Sequence, residues 1–443
     1  MSSRTKFAFL IVTIVSFVTV RSGIAVSAAT PLRIAYVDTD SNIHVCEGDC
    51  KKPQCLTCPV ASMEARRRDR VLPVRLAPVA AASEDTEYGW PTFSPNGRKL
   101  AYVSARGRRA AQNFGVWVYD FDKKESLKIF ESPTERGIYM YWLPDGKRLS
   151  FLVTEPDNRL SLMLAEVREN APIRIVTSGW PLYYDWGPHP DELLVHTNQT
   201  RSENREQVWL MNLTPTGQEV ERMLWRGRAP FKSPCWSRDG KHLALVATQD
   251  DVARIYVADP DGKNPKPIAK LLPGESSFVW SPDSRHLAFS TAQLPPNTVF
   301  DGISIVDIAD GSIRKIVNED VAAFYFSPDG NRLAYIGVPP QRPYFTWNVI
   351  DLRTPKKREL AKFVATTEGT IAARYFEQLS LSHTIWAPDS SAFVFAGVIL
   401  KEVPKKAPAT IPTPPPQVVV MPIDGGKPRY IAKGIIAFWS PAP

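Results

Sequence analysis

The chain lacks the short strings by which many enzymes announce themselves. It has no Gly-x-Ser-x-Gly nucleophile elbow, no His-Glu-x-x-His for a catalytic zinc, no Walker-type phosphate loop and no Gly-x-Gly-x-x-Gly. It has six scattered histidines, and after residue 20 no apolar run approaches 18 residues, so no membrane span is expected in the mature protein. Glycine is outnumbered, 24 against 40 prolines in 443 residues. That proline share is about twice the usual one, which argues against long helices and for short elements joined by turns. A hydrophobic share of 44% and a charged share of 23% exclude bulk disorder.

The N-terminus reads as a secretory signal over residues 1–28. Arg4 and Lys6 precede an uncharged run from Phe7 to Val20, and Val26-Ser27-Ala28 offers small residues for cleavage. Removing this segment takes away Arg4, Lys6 and Arg21 and no acid, so the formal charge falls from +8 to about +5. That excess is mild, and export makes nucleic acid an improbable partner. Periplasmic, secreted or cell-surface residence is expected.

One pattern recurs along the rest of the chain: an aromatic, Ser-Pro-Asp-Gly or a near variant, then a β-type run. It reads FSPNGRKLAYVS from Phe93, WLPDGKRLSFLV from Trp142 and WGPHPDELLVHT from Trp186. Further copies are WSRDGKHLALVA from Trp236, WSPDSRHLAFST from Trp280, FSPDGNRLAYIG from Phe326 and WAPDSSAFVFAG from Trp386. A final copy starts at Trp439, and the spacings run from 44 to 60 residues. Proline presets φ in the turn, Asp tolerates the next position, and Gly takes the left-handed one, so the motif is a tight hairpin between two strands. Each unit continues with a variable loop, a third strand, an Asp-rich turn and a fourth strand. Four-stranded units repeated at this period predict an all-β fold, a β-propeller.

The chain ends complement one another. Residues 33–38 form a second strand with no first strand before it, and residues 435–439 form a first strand with no second after it. The expectation is an eight-bladed propeller of four-stranded antiparallel blades, the first closed by the C-terminal strand. A single domain should cover 29–443, with a composite blade from 29–87 plus 434–443 and seven internal blades in 88–433.

The aromatic-Ser-Pro-Asp-Gly-x-x-Leu-Ala-(Tyr/Phe) unit resembles the WD40-like repeat of TolB-type propellers, and it is similar to the propellers of prolyl-oligopeptidase-type enzymes. The resemblance spans essentially the whole mature chain. It implies the fold and, for TolB-type proteins, a protein-binding role. TolB proteins carry an α/β domain before a six-bladed ring, and the peptidases carry an α/β-hydrolase domain; neither pattern is seen in this sequence.

Residues with possible chemistry mostly read as structural. His242 and His286 share one repeat position, Asp120/Asp122 and Asp259/Asp261 recur at turns, and the Trp/Phe column from Phe93 to Trp439 reads as packing between blades. Cys46, Cys50, Cys55 and Cys58 crowd into CEGDCKKPQCLTCP. Two disulfides suit an exported protein, in any of three connectivities; a bound metal or free thiols are the alternatives. Cys235 reads as buried and inert. Arg66–Arg68 with Arg70, and Arg106, Arg108 and Arg109, are solvated loop charge or a site for anionic polymer. Residues 404–416 should be an extended proline-rich loop.

Insertions concentrate in the second-to-third and fourth-to-first strand loops, which emerge at one end of the blades. Within one of them, 369–380 places Ile371, Tyr375, Phe376 and Leu379 on one stripe of a helix. These four, with Arg106, Arg108 and Arg109, are the candidate partner-binding face, and a helix that simply caps the ring is the alternative. No catalytic residue, metal or cofactor is expected. The reading is an exported, monomeric, non-enzymatic scaffold for a protein or anionic envelope polymer. The alternatives are an enzyme or sugar-binding propeller with a site at the channel mouth, and an accessory propeller of a separate hydrolase.

Overall fold

A computed structural model describes residues 31–59, 86–107, 112–189, 191–198, 207–214, 219–226, 233–272, 275–292, 299–402 and 414–441. The segment 1–28 expected to be a signal, Arg66–Arg68, Arg70, Arg108, Arg109 and most of the proline-rich loop lie outside the described residues. Among the described residues no helix is long and apolar enough to cross a membrane.

Among the described residues the strands form six sheets. The first orders as β3 (Gln54–Cys55), β2 (Ile43–Glu47), β1 (Arg33–Val37) and β30 (Ile436–Trp439). Next come β4–β7 (Thr86–Phe93, Lys99–Arg106, Asn113–Asp120, Glu125–Ser132) and β8–β11 (Arg136–Trp142, Arg148–Thr154, Leu160–Glu166, Ile173–Gly179). Then follow β12–β15 (Leu182–Trp186, Glu192–Thr197, Gln207–Leu213, Glu219–Arg226) and β16–β19 (Cys235–Trp236, Leu243–Gln249, Val252–Ala258, Lys266–Lys270). The last sheet is continuous through β20 (Ser276–Trp280), β21 (His286–Thr291), β22 (Phe300–Asp307), β23 (Ile313–Phe326) and β24 (Arg332–Gly337). It goes on through β25 (Phe345–Asp351), β26 (Lys356–Ala365), β27 (Ala392–Ile399), β28 (Gln417–Pro422) and β29 (Arg429–Lys433).

This long sheet holds three repeats. β23 ends one and begins the next without a loop, and Phe363–Ala365 pairs with Gly397–Ile399 to join the third. Grouped so, the sheets accommodate the eight expected units. β30 pairs antiparallel with β1, from Ile34↔Trp439 to Val37↔Ile436, so strands from opposite ends of the sequence share the first sheet. That sheet packs on both sides: Ile34 and Tyr36 meet Val394 and Val418, while Ala35 and Val37 meet Phe93 and Leu100.

Each motif residue has a bond to make. In FSPNG, Lys99 N–H donates to Ser94 Oγ (2.9 Å), Arg98 N–H to Asn96 Oδ1 (3.1 Å) and Gly97 N–H to the Ser94 carbonyl (2.8 Å). The same Ser acceptor takes His242 N–H on Ser237, His286 N–H on Ser281 and Arg332 N–H on Ser327. The repeat tryptophans bind one repeat to the next. In three of them the indole N–H donates to an inner-strand carbonyl of the preceding unit: Trp142 to Thr92 (3.0 Å), Trp280 to Cys235 (3.3 Å) and Trp386 to Tyr325 (3.3 Å); Trp236 instead donates to the Pro260 carbonyl of its own unit. Asp120 accepts from the amides of Asp122 and Lys123, and Asp261 from that of Lys263, as turn-forming carboxylates do.

The four clustered cysteines form sequential disulfides, Cys46–Cys50 and Cys55–Cys58, so the metal and free-thiol alternatives have no thiolates to draw on here. His44 lies beside the second bridge, with Nε2 2.7 Å from Asp38 Oδ2. Cys235 is free and buried, and burial pushes its thiol pKa well up.

The turns give a paired test. Gly240 (φ +69°) and Gly311 (φ +71°) both lie in the left-handed region, but a Cβ on Gly240 would meet Pro188 at 2.7 Å whereas one on Gly311 would meet nothing within 4 Å. Gly311→Ala should cost only the backbone penalty, roughly 1–2 kcal/mol. Gly240→Ala should cost measurably more in denaturant unfolding, because its turn must also move off the neighbouring one. Equal losses would refute the packing of successive turns.

Candidate functional site: the channel and its helical insert

The first strand of each sheet stands at an edge of its pairing order, and β30, β4 and β8 touch in sequence around the ring. These edges enclose a channel. Their N–H and C=O groups face it, and buried backbone groups need partners.

The partners come from the insertion between β26 and β27. Thr366 caps it, its hydroxyl accepting from Gly369 N–H (2.9 Å) and donating to the Ile435 carbonyl (2.7 Å). The expected single helix is two: α1 (Thr367–Arg374) and α2 (Phe376–Ser382), broken at Tyr375, whose backbone leaves the helical region at φ −111°, ψ 28°.

Gln378 is the anchor. Its amide Oε1 accepts from Tyr184 N–H (3.1 Å) and its Nε2 donates to the Tyr184 carbonyl (2.8 Å), the two bonds a neighbouring strand would have made to β12. Oε1 also accepts from Ser233 Oγ (3.0 Å), and the Tyr139 hydroxyl donates to the Gln378 carbonyl (2.9 Å). Phe376 packs against Phe324 (ring centroids 4.7 Å), Tyr325 and Phe300. His383 sits against Phe438, its Nε2 2.9 Å from Thr92 Oγ1 and its Nδ1 2.7 Å from Ser382 Oγ. Because Thr92 donates to the Trp90 carbonyl, it accepts from Nε2–H; burial lowers the His383 pKa to about 3, which favours the neutral imidazole. Residues 366–384 thus reach strands all around the ring, and the insert fills the channel.

This corrects the expected partner face. Phe376 (0% exposed) and Leu379 (8%) are buried in the ring interior, where the aromatic wall and Tyr184 draw that side of α2 inward. Ile371 (42%) and Tyr375 (43%) do reach solvent, because the break at Tyr375 splits the stripe. Arg106 is exposed at the end of β5, at the same loop-bearing end of the sheets.

Two openings remain. At the turn end, cavities of about 400 and 280 Å3 flank Tyr141 and Arg238, both floored by Ser380 and Leu381. Asp185 is buried in the larger one. Its Oδ1 accepts from the Tyr141 hydroxyl (2.9 Å) and its Oδ2 from Trp236 N–H (3.0 Å), so it links β8, β12 and β16. Burial pushes its pKa up to about 7, partly offset by those two bonds. At the loop end an apolar cavity of about 350 Å3 lies against α1.

Sequence reasoning passed over Asp185, Gln378 and His383. Asp185 occupies the position just before the repeat aromatic, shared with Thr92, Tyr141, Cys235, Val279, Tyr325, Ile385 and Phe438. Read as a column, that position carries the channel-lining signal. Glu377-Gln378 inside an apolar stripe was the other signal.

A raised folded-state pKa means the folded chain holds the Asp185 proton more tightly. Its stabilising contribution is therefore full below about pH 4 and lost as pH rises to about 7. His383 has the opposite sign: its contribution is full above about pH 6.5 and lost as pH falls towards 3. Asp185→Asn keeps the acceptor for Trp236 and lets the Tyr141 hydroxyl accept. It should raise stability above pH 7 by roughly 2–4 kcal/mol and leave it unchanged near pH 4. Thermal melts across pH decide it; a gain that does not vary with pH would count against the buried carboxylate.

No protein-family model matches the chain. A 69-residue segment is 35% identical to the Tol-Pal system protein TolB of Thioalkalivibrio sulfidiphilus, covering 16% of each protein. A 115-residue segment is 27% identical to the uncharacterised peptidase YuxL of Bacillus subtilis, covering 26% of this chain and 17% of that one. The matches thus span about a sixth of these curated relatives. Among solved structures, a prolyl endopeptidase superposes with a TM-score of 0.53 at 13% identity, over 80% of this chain and 50% of that one. TolB from Acinetobacter baumannii gives 0.40 at 15% identity, over 78% and 83%. With the repeat and the strand pairing, the prolyl endopeptidase likeness shows a β-propeller fold, and one 69-residue segment of the chain is similar to TolB.

Proposed function

We propose that this protein is an exported, non-enzymatic propeller, a single domain over 29–443 after loss of residues 1–28, which binds a protein partner at its loop-bearing end. One observation carries the reading. While Phe376, Glu377, Gln378 and Leu379 are buried, Ile371 and Tyr375 are held out at that end, on a helix locked to the ring. Arg374 adjoins Tyr375 and Arg106 is exposed at the same end, which suits an acidic patch on the partner. Exposed aromatic and branched side chains on a rigid mount are what interfaces use as anchors. The two disulfides fit an oxidising compartment, hence a periplasmic protein. An anionic polymer would engage the arginines and leave the apolar groups unused.

A second reading, a reaction centre at the turn end, is favoured by the high pKa of Asp185 in an open cavity. Its weakness is that both carboxylate oxygens already hold neighbouring strands, a structural duty.

Replacing Ile371 and Tyr375 together by Asp should move the melting temperature little, since both are exposed, while capture of envelope proteins by the immobilised protein falls. Phe376→Ala, by contrast, should cost about 3–5 kcal/mol. Capture that survives the double substitution but is lost on Arg238→Glu would move the interface to the opposite end.

A further inference from the structure

The two disulfides stand in unlike places. Cys46 and Cys50 are both buried, packed in the core with Ile34, Val394 and Trp439. Cys55 ends β3, at the outer edge of the first sheet, and is part-exposed, while Cys58 is buried. Residues 51–54 before it are exposed, so among the described residues a small thiol reaches Cys55 before it reaches Cys58.

Thiol chemistry needs more than access, because each sulfur must be able to leave as a thiolate. Both sulfurs have a group suited to that. The Cys58 backbone N–H donates to Cys55 Sγ (3.0 Å), a bond that strengthens when that sulfur is charged. Cys58 Sγ lies 4.0 Å from His44 Nε2, and that nitrogen is 2.7 Å from Asp38 Oδ2. A ring nitrogen of His44 and the two sulfurs all lie within 4.8 Å of one another. In its doubly protonated form the ring offers a departing Cys58 sulfur both a proton and a positive charge.

We propose that Cys55–Cys58 is a thiol–disulfide exchange centre that takes two electrons from a dithiol. A donor thiolate attacks Cys55 Sγ and forms an S–S bond with it. The Cys55–Cys58 bond breaks, and its electron pair leaves on Cys58, which His44 protonates. The donor's second thiolate then attacks its own bonded sulfur, closing the donor's disulfide. This expels Cys55 as a thiolate, held by the Cys58 N–H until it too takes a proton. One exchange moves two electrons and two protons from donor to protein, and return to the starting state needs a disulfide oxidant. The centre lies apart from the residues of the partner-binding reading. Replacing Ile371 and Tyr375 leaves it unchanged, so either reading can fail alone.

The purified full-length protein carries its own control in Cys46–Cys50. Under dithiothreitol, with alkylation and peptide mapping at intervals, Cys55–Cys58 should open on the order of tenfold faster than Cys46–Cys50. In a glutathione redox buffer it should settle partly reduced while Cys46–Cys50 stays oxidised. Cys58→Ser should take up one glutathione from oxidised glutathione, at Cys55, and Cys55→Ser should take up none at Cys58 in the same time. His44→Gln should slow the opening of Cys55–Cys58 severalfold and leave Cys46–Cys50 unchanged; faster opening of both would mean that the ring only supports the sheet and takes no part in the exchange. The proposal fails if the two bridges open alike, if glutathione leaves both oxidised, or if Cys58 takes up glutathione as readily as Cys55.

Discussion

A ring of sheets that turns its first strands inward creates a row of backbone donors and acceptors facing an enclosed space. Water could serve them, or the chain could. Here Gln378 does so for Tyr184, making with one side-chain amide both bonds that a further strand would have supplied. Around that point the insert's other polar groups find the ring: Thr366 takes a carbonyl near β30, and His383 takes the Thr92 hydroxyl. The geometry of both openings follows, because each is bounded by one end of the insert.

The outer part of the ring is held by different means. Proline and glycine set the turns, serine and aspartate tie them down, and Trp142, Trp186, Trp280 and Trp386 reach back to the preceding unit. None of these bonds is individually large, about 1 kcal/mol net apiece. They recur at equivalent places in successive units, so the same small term is applied around the circle.

The repeat was legible because it is local. Turn chemistry, strand alternation and indole position all lie within twelve residues of one another, and the closing pair followed from two half-units at the ends. The course of 366–384 was not legible. Its apolar spacing indicated a helix, but whether a stripe faces a partner or an interior depends on what lies across from it. For Phe376 that is Phe324, Tyr325 and Phe300, and for Gln378 it is Tyr139, Tyr184 and Ser233, far away in sequence. Asp185 was hidden for the same reason: its partners Tyr141 and Trp236 belong to the units before and after it. The cysteine pairing, by contrast, was among the possibilities that spacing alone left open.

The insert also alters how the molecule comes apart. Stacked repeats usually behave as a one-dimensional array in which each unit senses only its neighbours and fraying begins at an end. In this ring the side-chain hydrogen bonds from one short segment to distant residues span 69 to 291 residues of sequence. A sheet that opens therefore releases groups on which non-adjacent sheets depend, and the stability of any unit is referred to the whole. Such long-range closure slows folding, since distant parts must meet before the segment finds its place. Once made, it ties a chain of separable modules into a ring whose units depend on one another.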